Sequence, residues 1–343
     1  MPLSVSHQPS RPPSASPYRL LDEGGQEIDW ANTFLDAQRV RQLSVRSLRT
    51  YAFDLLHFAR WSLEVSPHPL DQLTQSALQN YVCHQLDQKP PSSPPTINRR
   101  LIVVERLYRF HHGQQIPAGQ AHFQRVYTQR SALGYGQPRR VIARTLRLKQ
   151  PRRLVQPLTV EQVSQFWSSF HTFRDQAIVG LMLLDGMRSC EILALQLDDF
   201  CRAEAQLRVL GKGGRPRLLP LPHEIVPVLE KYLLLERPAT SCPFLFVSLK
   251  GPHRGLSLTA AGLRSLFRHH RICSHIPLAN PHRFRHTFGA DMVRAGISLP
   301  ALQQLMGHSQ IQTTMLYVQL SPQDVWREYA RASQQRSHSA NLP

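Results

Sequence analysis

From Ile28 to about His112, apolar residues recur at three- and four-residue steps, the period of helices with one face turned inward. Trp30, Phe34, Leu35 and Ala37 open the first such face. Ser44 is placed as the N-cap of a second helix, in which Leu48, Tyr51, Leu55 and Phe58 share a side. This helix runs through Trp61 towards Pro67 and Pro69. A third is expected from Ser76 to Gln85. The proline-rich break from Lys89 to Pro95 separates it from a fourth, Thr96 to Phe110, where Arg99, Arg100, Arg106 and Arg109 alternate with Leu101, Val104, Leu107 and Tyr108. The pattern predicts a small, all-helical domain over 28–112 with basic edges.

A second periodic region begins near Pro157. Thr159 followed by Gln162 spells a capping box at the start of a helix through Phe170. Apolar helical runs follow at Gln176–Leu184 and Cys190–Leu197. The period then changes to two: Gln206–Leu210 and Arg215–Leu221 read as short strands joined by Gly211-Lys212-Gly213-Gly214, a hairpin signal. Helices resume at about His223–Glu236, Thr259–Arg271, Arg283–Ala295, Leu299–Met306 and Pro322–Ser333. No repeat is visible. The expected fold class is mainly α with a small β-sheet, in two domains: a helical one (28–112) and an α+β one (157–334). A disordered Ser/Pro-rich tail (1–27), a basic linker (113–156) and a short tail (335–343) complete the expected organisation.

Charge sharpens this picture. Forty-one basic against 23 acidic residues leave a formal charge of +18, which favours a polyanionic partner, with nucleic acid first among them. Between Arg106 and Val160 there is no Asp or Glu, while Arg139, Arg140, Arg152 and Arg153 accumulate. Such a segment laid along a duplex would release counterions with each phosphate it met. The five cysteines form no C-x-x-C pair or zinc spacing and are expected as reduced, mostly buried thiols. No apolar run reaches the roughly 20 residues of a membrane span, and Met1–Pro17 lacks the apolar core of a secretory signal. The expected setting is cytoplasmic and nucleoid-associated.

The candidate chemistry lies in the last half of the chain. Arg188 follows a helix-breaking Gly186, where its planar fork could grip two phosphate oxygens, and Glu191 one turn later could orient it. Lys212 sits at the glycine-framed hairpin tip and could protonate a leaving alkoxide. The phosphate-cradling G-x-x-x-x-G-K-[ST] loop is absent, so ATP use is not indicated. His282 and Arg285 stand three apart on one helix face. His282 and His286 have the spacing of a zinc helix, but the Glu of H-E-x-x-H is missing and Arg285 would repel a cation, so no metal is expected. His308 follows Gly307 at a helix end. Tyr317 carries a phenol of pKa about 10, a poor nucleophile unless neighbours take its proton or stabilise its anion. Singly, these residues fit a surface ion pair, an exposed turn lysine, a capping histidine and a packed tyrosine; together they suit chemistry on a phosphodiester.

Arg188 with Glu191, Lys212, His282-x-x-Arg285-His286, Gly307-His308 and Thr313-Thr314-x-x-Tyr317 resemble the tyrosine recombinase (phage integrase) family. Ser44–Tyr51 and Thr96–Leu101 resemble its N-terminal core-binding (SAM-like) domain. Two departures are visible: Phe284 stands where Leu is usual, and the acid-free linker is long. The resemblance implies site-specific strand exchange on double-stranded DNA, without ATP or metal, by a homotetramer. Arg188, Arg285 and His308 would hold the scissile phosphate, His282 would assist proton transfer, Lys212 would protonate the 5′ oxygen, and Tyr317 would attack. Glu191 and His286 would stand behind these groups. Arg46, Arg49, Arg99, Arg100, Arg139, Arg140, Arg152 and Arg153 are the DNA-contact candidates. A mobile element is the expected setting, with integration, transposition, cassette exchange and chromosome-dimer resolution all left open by the sequence. Type IB topoisomerase-like relaxation and non-catalytic DNA binding are the alternatives.

Overall fold

A computed structural model describes residues 3–64, 70–117, 146–150, 156–211, 214, 216–308, 310–317, 329–330 and 333. The chain divides into two compact units, Met1–Arg152 and Arg153–Pro343.

The first unit begins with a hairpin, β1 (Ser4–His7) against β2 (Tyr18–Leu21). Four helices follow: α1 (Asp29–Val40), α2 (Val45–Glu64), α3 (Gln75–Asp87) and α4 (Pro94–His112). Helix α2 is central. Its Leu48, Ala52, Leu55 and Ala59 pack with Phe34 and Leu35 of α1, while Phe58 and Trp61 pack with Tyr81 of α3 and Tyr108 of α4. Ser44 Oγ accepts from Ser47 N at 3.2 Å, the expected cap. Tyr51, expected on the buried face, is half-buried and meets Arg106 through its hydroxyl. Helix α4 starts at Pro94, earlier than Thr96, because proline fits a first turn, where an N–H would have no intrahelical acceptor.

The hairpin corrects one expectation: residues 3–27 are not a disordered tail. Leu3 and Leu20 are buried against α1 and α2. The side chain of Asn32 pairs with the Leu20 backbone as a strand would, accepting from its N–H at 2.9 Å and donating to its carbonyl at 3.0 Å. Arg19, 3% exposed, reaches Asp36 at 3.0 Å. Serine- and proline-rich composition conceals two four-residue strands whose support comes from a helix further along the chain.

In the second unit, α5 (Val160–Trp167) carries the expected capping box between Thr159 and Gln162. It is followed by α6 (Phe173–Leu184), α7 (Ser189–Ala194) and an antiparallel sheet of β3 (Phe200–Cys201), β4 (Gln206–Leu210) and β5 (Pro216–Pro220) in that order. Strand β3 is an addition to the expected hairpin. The next helix, α8 (Ile225–Lys231), passes into a π-helical turn, Tyr232–Glu236, and then come α9 (Ala260–Cys273), α10 (Pro281–Arg294), α11 (Leu299–Met306) and the short α12 (Ile311–Thr314). Asn280 caps α10 by accepting from Arg283 N at 3.0 Å, with Pro281 in the first turn. The core gathers Ile178 and Met182 of α6, Leu207, Val209 and Leu219 of the sheet, and Phe166, Phe267 and Phe284. Phe284 lies within 5.0 Å of the Phe166 ring centroid, so the bulkier residue fills an aromatic pocket.

The cysteines also differ from expectation. All are free, Cys83, Cys190, Cys201 and Cys273 are exposed, and Cys242 is half-buried. Each exposed one occupies an outward position on its helix or on edge strand β3, where the apolar period gives no inward demand. Among the described residues, no helix is long and apolar enough to cross a membrane. Most of the expected helix Pro322–Ser333 falls outside the described residues, as do Arg139, Arg140, Arg152 and Arg153 of the linker.

Candidate active site

Four segments of the second unit converge on one place. The α6–α7 turn is the first. Gly186 has φ +62°, and a Cβ there would lie 2.3 Å from the Phe288 ring, so conformation and space both demand glycine. The turn presents the Gly186 carbonyl to Arg285 Nη1 and places Arg188 at the start of α7. Arg188 N donates to Glu191 Oε2 at 2.9 Å, its Nη1 donates to Oε1 at 2.8 Å, and its Nη2 donates to the Gly307 carbonyl at 2.9 Å.

Helix α10 supplies the second segment. Arg285 is 3% exposed, and its Nη2 donates to the Met306 carbonyl at 2.7 Å and to His308 Nε2 at 2.8 Å. Burial, then the nearby Arg188 charge, pushes this guanidinium down to about 10, still protonated at neutral pH. His282, three residues before Arg285, and His286, the residue after it, stack with ring centroids 5.4 Å apart. Burial and Arg285 hold His282 below the ordinary imidazole value. Burial, then His282, Arg285 and Arg283, lowers His286 to about 4.

The end of α11 is the third. Gly307 adopts the left-handed conformation (φ +61°), so the chain leaves the helix and His308 turns back. Arginine has no acceptor, so His308 Nε2 accepts from Arg285. The proton is then on Nδ1, which donates to buried Thr314 Oγ1 at 2.9 Å. Burial and the charges of Arg285 and Arg188 lower His308 to about 4.

A 3₁₀ turn after α12 carries Tyr317, the fourth. Its ring is 7% exposed and packs with Phe288, Leu302 and Met306. Its hydroxyl lies 2.9 Å from His286 Nδ1. Burial pushes the phenol above its ordinary value, with Arg285 and Arg188 opposing. A Cβ on Gly289 would come within 2.7 Å of Tyr317 Cζ, so the ring rests directly on the α10 backbone.

The structure thus brings together Arg188, Glu191, His282, Arg285, His286, His308 and Tyr317. Lys212 lies outside the described residues; Gly214 N donates to Gly211 O at 3.1 Å across that turn. Among the described residues, no cluster of three His, Cys, Asp or Glu is placed to hold a metal ion. In the first unit, Arg46 and Arg49 are exposed, and Arg49 lies over the Phe53 ring at 5.2 Å. Arg99 forks onto Asp54 with two 2.8 Å bonds but keeps half its side chain exposed. Arg100 is turned inward, donating to Gln85 Oε1 at 2.8 Å and Ser92 Oγ at 3.1 Å.

Sequence reasoning missed two charged groups. Arg217 of β5 donates to both oxygens of Glu191, at 3.0 and 2.9 Å. Its signal was in the strand period, which sets it on the same face as the buried Leu219. Asp185, at the C-cap of α6, is 5% exposed with Oδ2 unbonded, and burial pushes its carboxyl up to about 8. Nothing in a single sequence distinguishes it from a solvated loop aspartate.

The phage integrase family model matches residues 156–324, and the model of that family's N-terminal SAM-like domain matches residues 32–115. The tyrosine recombinase XerD of Vibrio vulnificus (strain YJ016) is 26% identical over 308 residues, covering 86% of this chain and 92% of its own length. The tyrosine recombinase XerC of Chromohalobacter salexigens is 31% identical over 198 residues, 56% of this chain and 65% of its own length. Among solved structures, the Tn1549 transposon integrase in complex with transposon right end DNA aligns with a TM-score of 0.66 at 17% identity, covering 89% of this chain and 99% of that one. The XerH site-specific recombinase bound to difH substrate aligns at 0.61 with 18% identity, covering 86% and 82%. The chain belongs to the phage integrase family and is an enzyme of the tyrosine recombinase type.

Proposed function

We propose that this protein is a site-specific DNA recombinase that cleaves and rejoins duplex strands through a 3′-phosphotyrosyl link to Tyr317. The observation that carries this reading is the position of the Tyr317 hydroxyl, 2.9 Å from the neutral imidazole of His286 and beside Arg285 and Arg188. Arg188, Arg285 and His308 hold the scissile phosphate, and their charge stabilises the phosphorane that forms on attack. With its proton on Nε2, His286 accepts the phenolic proton at Nδ1, and the stacked His282 assists the transfer. The Tyr317 oxygen–phosphorus bond forms, the bond from phosphorus to the 5′ oxygen breaks, and Lys212 supplies the proton that oxygen takes up. A 5′-hydroxyl from a partner duplex reverses the step, conserving ester energy without ATP. Arg46, Arg49 and Arg99 offer exposed cations for the duplex, whereas the inward bonds of Arg100 leave it less free for that task. We place the reaction on a homotetramer at paired recombination sites of a mobile element, for which reversible strand exchange provides both integration and excision.

The test uses DNA selected by the protein itself, nicked beside the scissile position so that the released fragment diffuses away. Incubation in EDTA is expected to leave a covalent adduct on a denaturing gel, whose DNA-linked peptide contains Tyr317. Specific binding with no adduct would establish the non-catalytic reading. Relaxation of supercoils by a monomer, without exchange, would establish the topoisomerase reading.

Gly289→Ala is expected to separate chemistry from folding. The added methyl pushes the packed Tyr317 ring aside at an overpacking cost of about 1–3 kcal/mol, which the preference of alanine for the helix, about 0.5–1 kcal/mol, partly offsets. The melting temperature should stay within a few degrees of wild type. Adduct formation should slow more than about tenfold as the phenol leaves His286. An unchanged rate would show that this placement of the ring does not matter to attack.

A further inference from the structure

We infer that Arg217 is a positioning residue that holds Arg188 in its phosphate-binding arrangement, between Glu191 and the Gly307 carbonyl. This rests on the phosphodiester reading above. Three observations lead to it. First, Arg217 has 11% of its side chain exposed and spends its guanidinium internally: Nη1 and Nη2 fork onto Glu191 Oε1 and Oε2 at 3.0 and 2.9 Å, and Nε donates to the Leu305 carbonyl at 3.0 Å. It therefore joins β5, α7 and the last turn of α11 through one rigid plane. Second, Glu191 also accepts from the Arg188 backbone N and from Arg188 Nη1, so both arginines share one buried carboxylate. Burial would raise that carboxyl, but the bonds from Arg217 and Arg188 hold it below the ordinary glutamate value. Third, a Cβ on Gly307 would meet Arg217 Nη1 at 2.8 Å and Arg188 Nη1 at 3.4 Å, so the turn before His308 is seated on both guanidiniums.

The arrangement also sets charge. One carboxylate against two guanidiniums leaves a positive charge over for a phosphate. Without Arg217, the Glu191 carboxylate would be left to the Arg188 guanidinium alone, cancelling its charge and drawing it from the substrate. Arg217 then acts through Arg188 and needs no contact with DNA.

The experiment measures single-turnover adduct formation on the self-selected, nicked duplex, together with DNA affinity and melting temperature. It compares wild type, Arg217→Met, Arg217→Lys, Arg188→Ala and the Arg188→Ala/Arg217→Met double variant. Each is also tried on a duplex whose scissile phosphate is a methylphosphonate, which lacks the charge that Arg188 meets. At saturating DNA, Arg217→Met is expected to slow cleavage about 100-fold, with affinity within about threefold of wild type. The double variant should be no slower than Arg188→Ala, the signature of two residues acting as one unit. The methylphosphonate should restore Arg217→Met as fully as it restores Arg188→Ala. Arg217→Lys, which keeps the charge and one bond, should recover part of the rate and serves if the methionine variant does not fold. Multiplying defects in the double variant, or no rescue by the neutral phosphate, would overturn the inference, as would a wild-type rate in Arg217→Lys and Arg217→Met. Absence of adduct from wild type would instead remove the phosphodiester reading itself.

Discussion

Tyr317→Phe is expected to abolish the covalent adduct while leaving DNA binding and stability close to wild type. Phenylalanine keeps the ring, and with it the packing against Phe288, Leu302 and Met306. What disappears is one oxygen and its bond to His286 Nδ1. Losing that bond should cost about 1 kcal/mol, since His286 is only half-buried and can find water instead. Losing the nucleophile should lower adduct formation by at least about 10⁴-fold, the scale seen when an attacking group is removed. Denaturing gels and thermal melts measure the two effects. An adduct that persists at a comparable rate would mean that another group attacks, and the proposed mechanism would fall.

Arg285→Ala is expected to damage both chemistry and fold. The guanidinium is 3% exposed and serves the Gly186 carbonyl, the Met306 carbonyl and His308 Nε2 together. Its removal leaves these acceptors facing a void, at about 1–3 kcal/mol for each group left without a partner. The same side chain would meet the phosphate, where loss of one aimed donor costs about 10²–10³ in rate. Arg285→Lys should recover part of the stability and little of the rate, because an ammonium cannot span three acceptors in one plane. Cleavage and melting temperature should therefore fall together in the alanine variant and separate in the lysine variant. Full activity in Arg285→Lys would show that only charge, and not the planar fork, is required.

The parts of this protein legible in its sequence are those whose cause lies within a turn or two of chain. The capping box of Thr159 and Gln162, the cap at Ser44, the break at Gly186 and the hairpin period of Gln206–Leu210 all rest on bonds between near neighbours, and the structure shows each of them. The site was legible for a related reason: His282, Arg285 and His286 share one helix face, so local spacing alone brings them together. The buried hairpin at residues 3–27 was not legible, because its strands are held by Asn32 and Asp36 of α1. Cysteine burial was misjudged for a complementary reason: type preference says where cysteines usually go, and the outer faces of α3, α7 and α9 override it.

The sequence by itself determined the helical period, the caps at Ser44 and Thr159 and the order of the basic stations and tyrosine, since each is written within a few residues of chain. Only the tertiary structure decided how the charged side chains spend their bonds. Arg100 turns inward to Gln85 and Ser92; His286, not His282, meets the Tyr317 hydroxyl; and Arg217 shares Glu191 with Arg188. A guanidinium carries the same donors, and an imidazole the same two nitrogens, wherever it stands in a chain, and its partner is whichever polar group the packed core carries to about 3 Å from it.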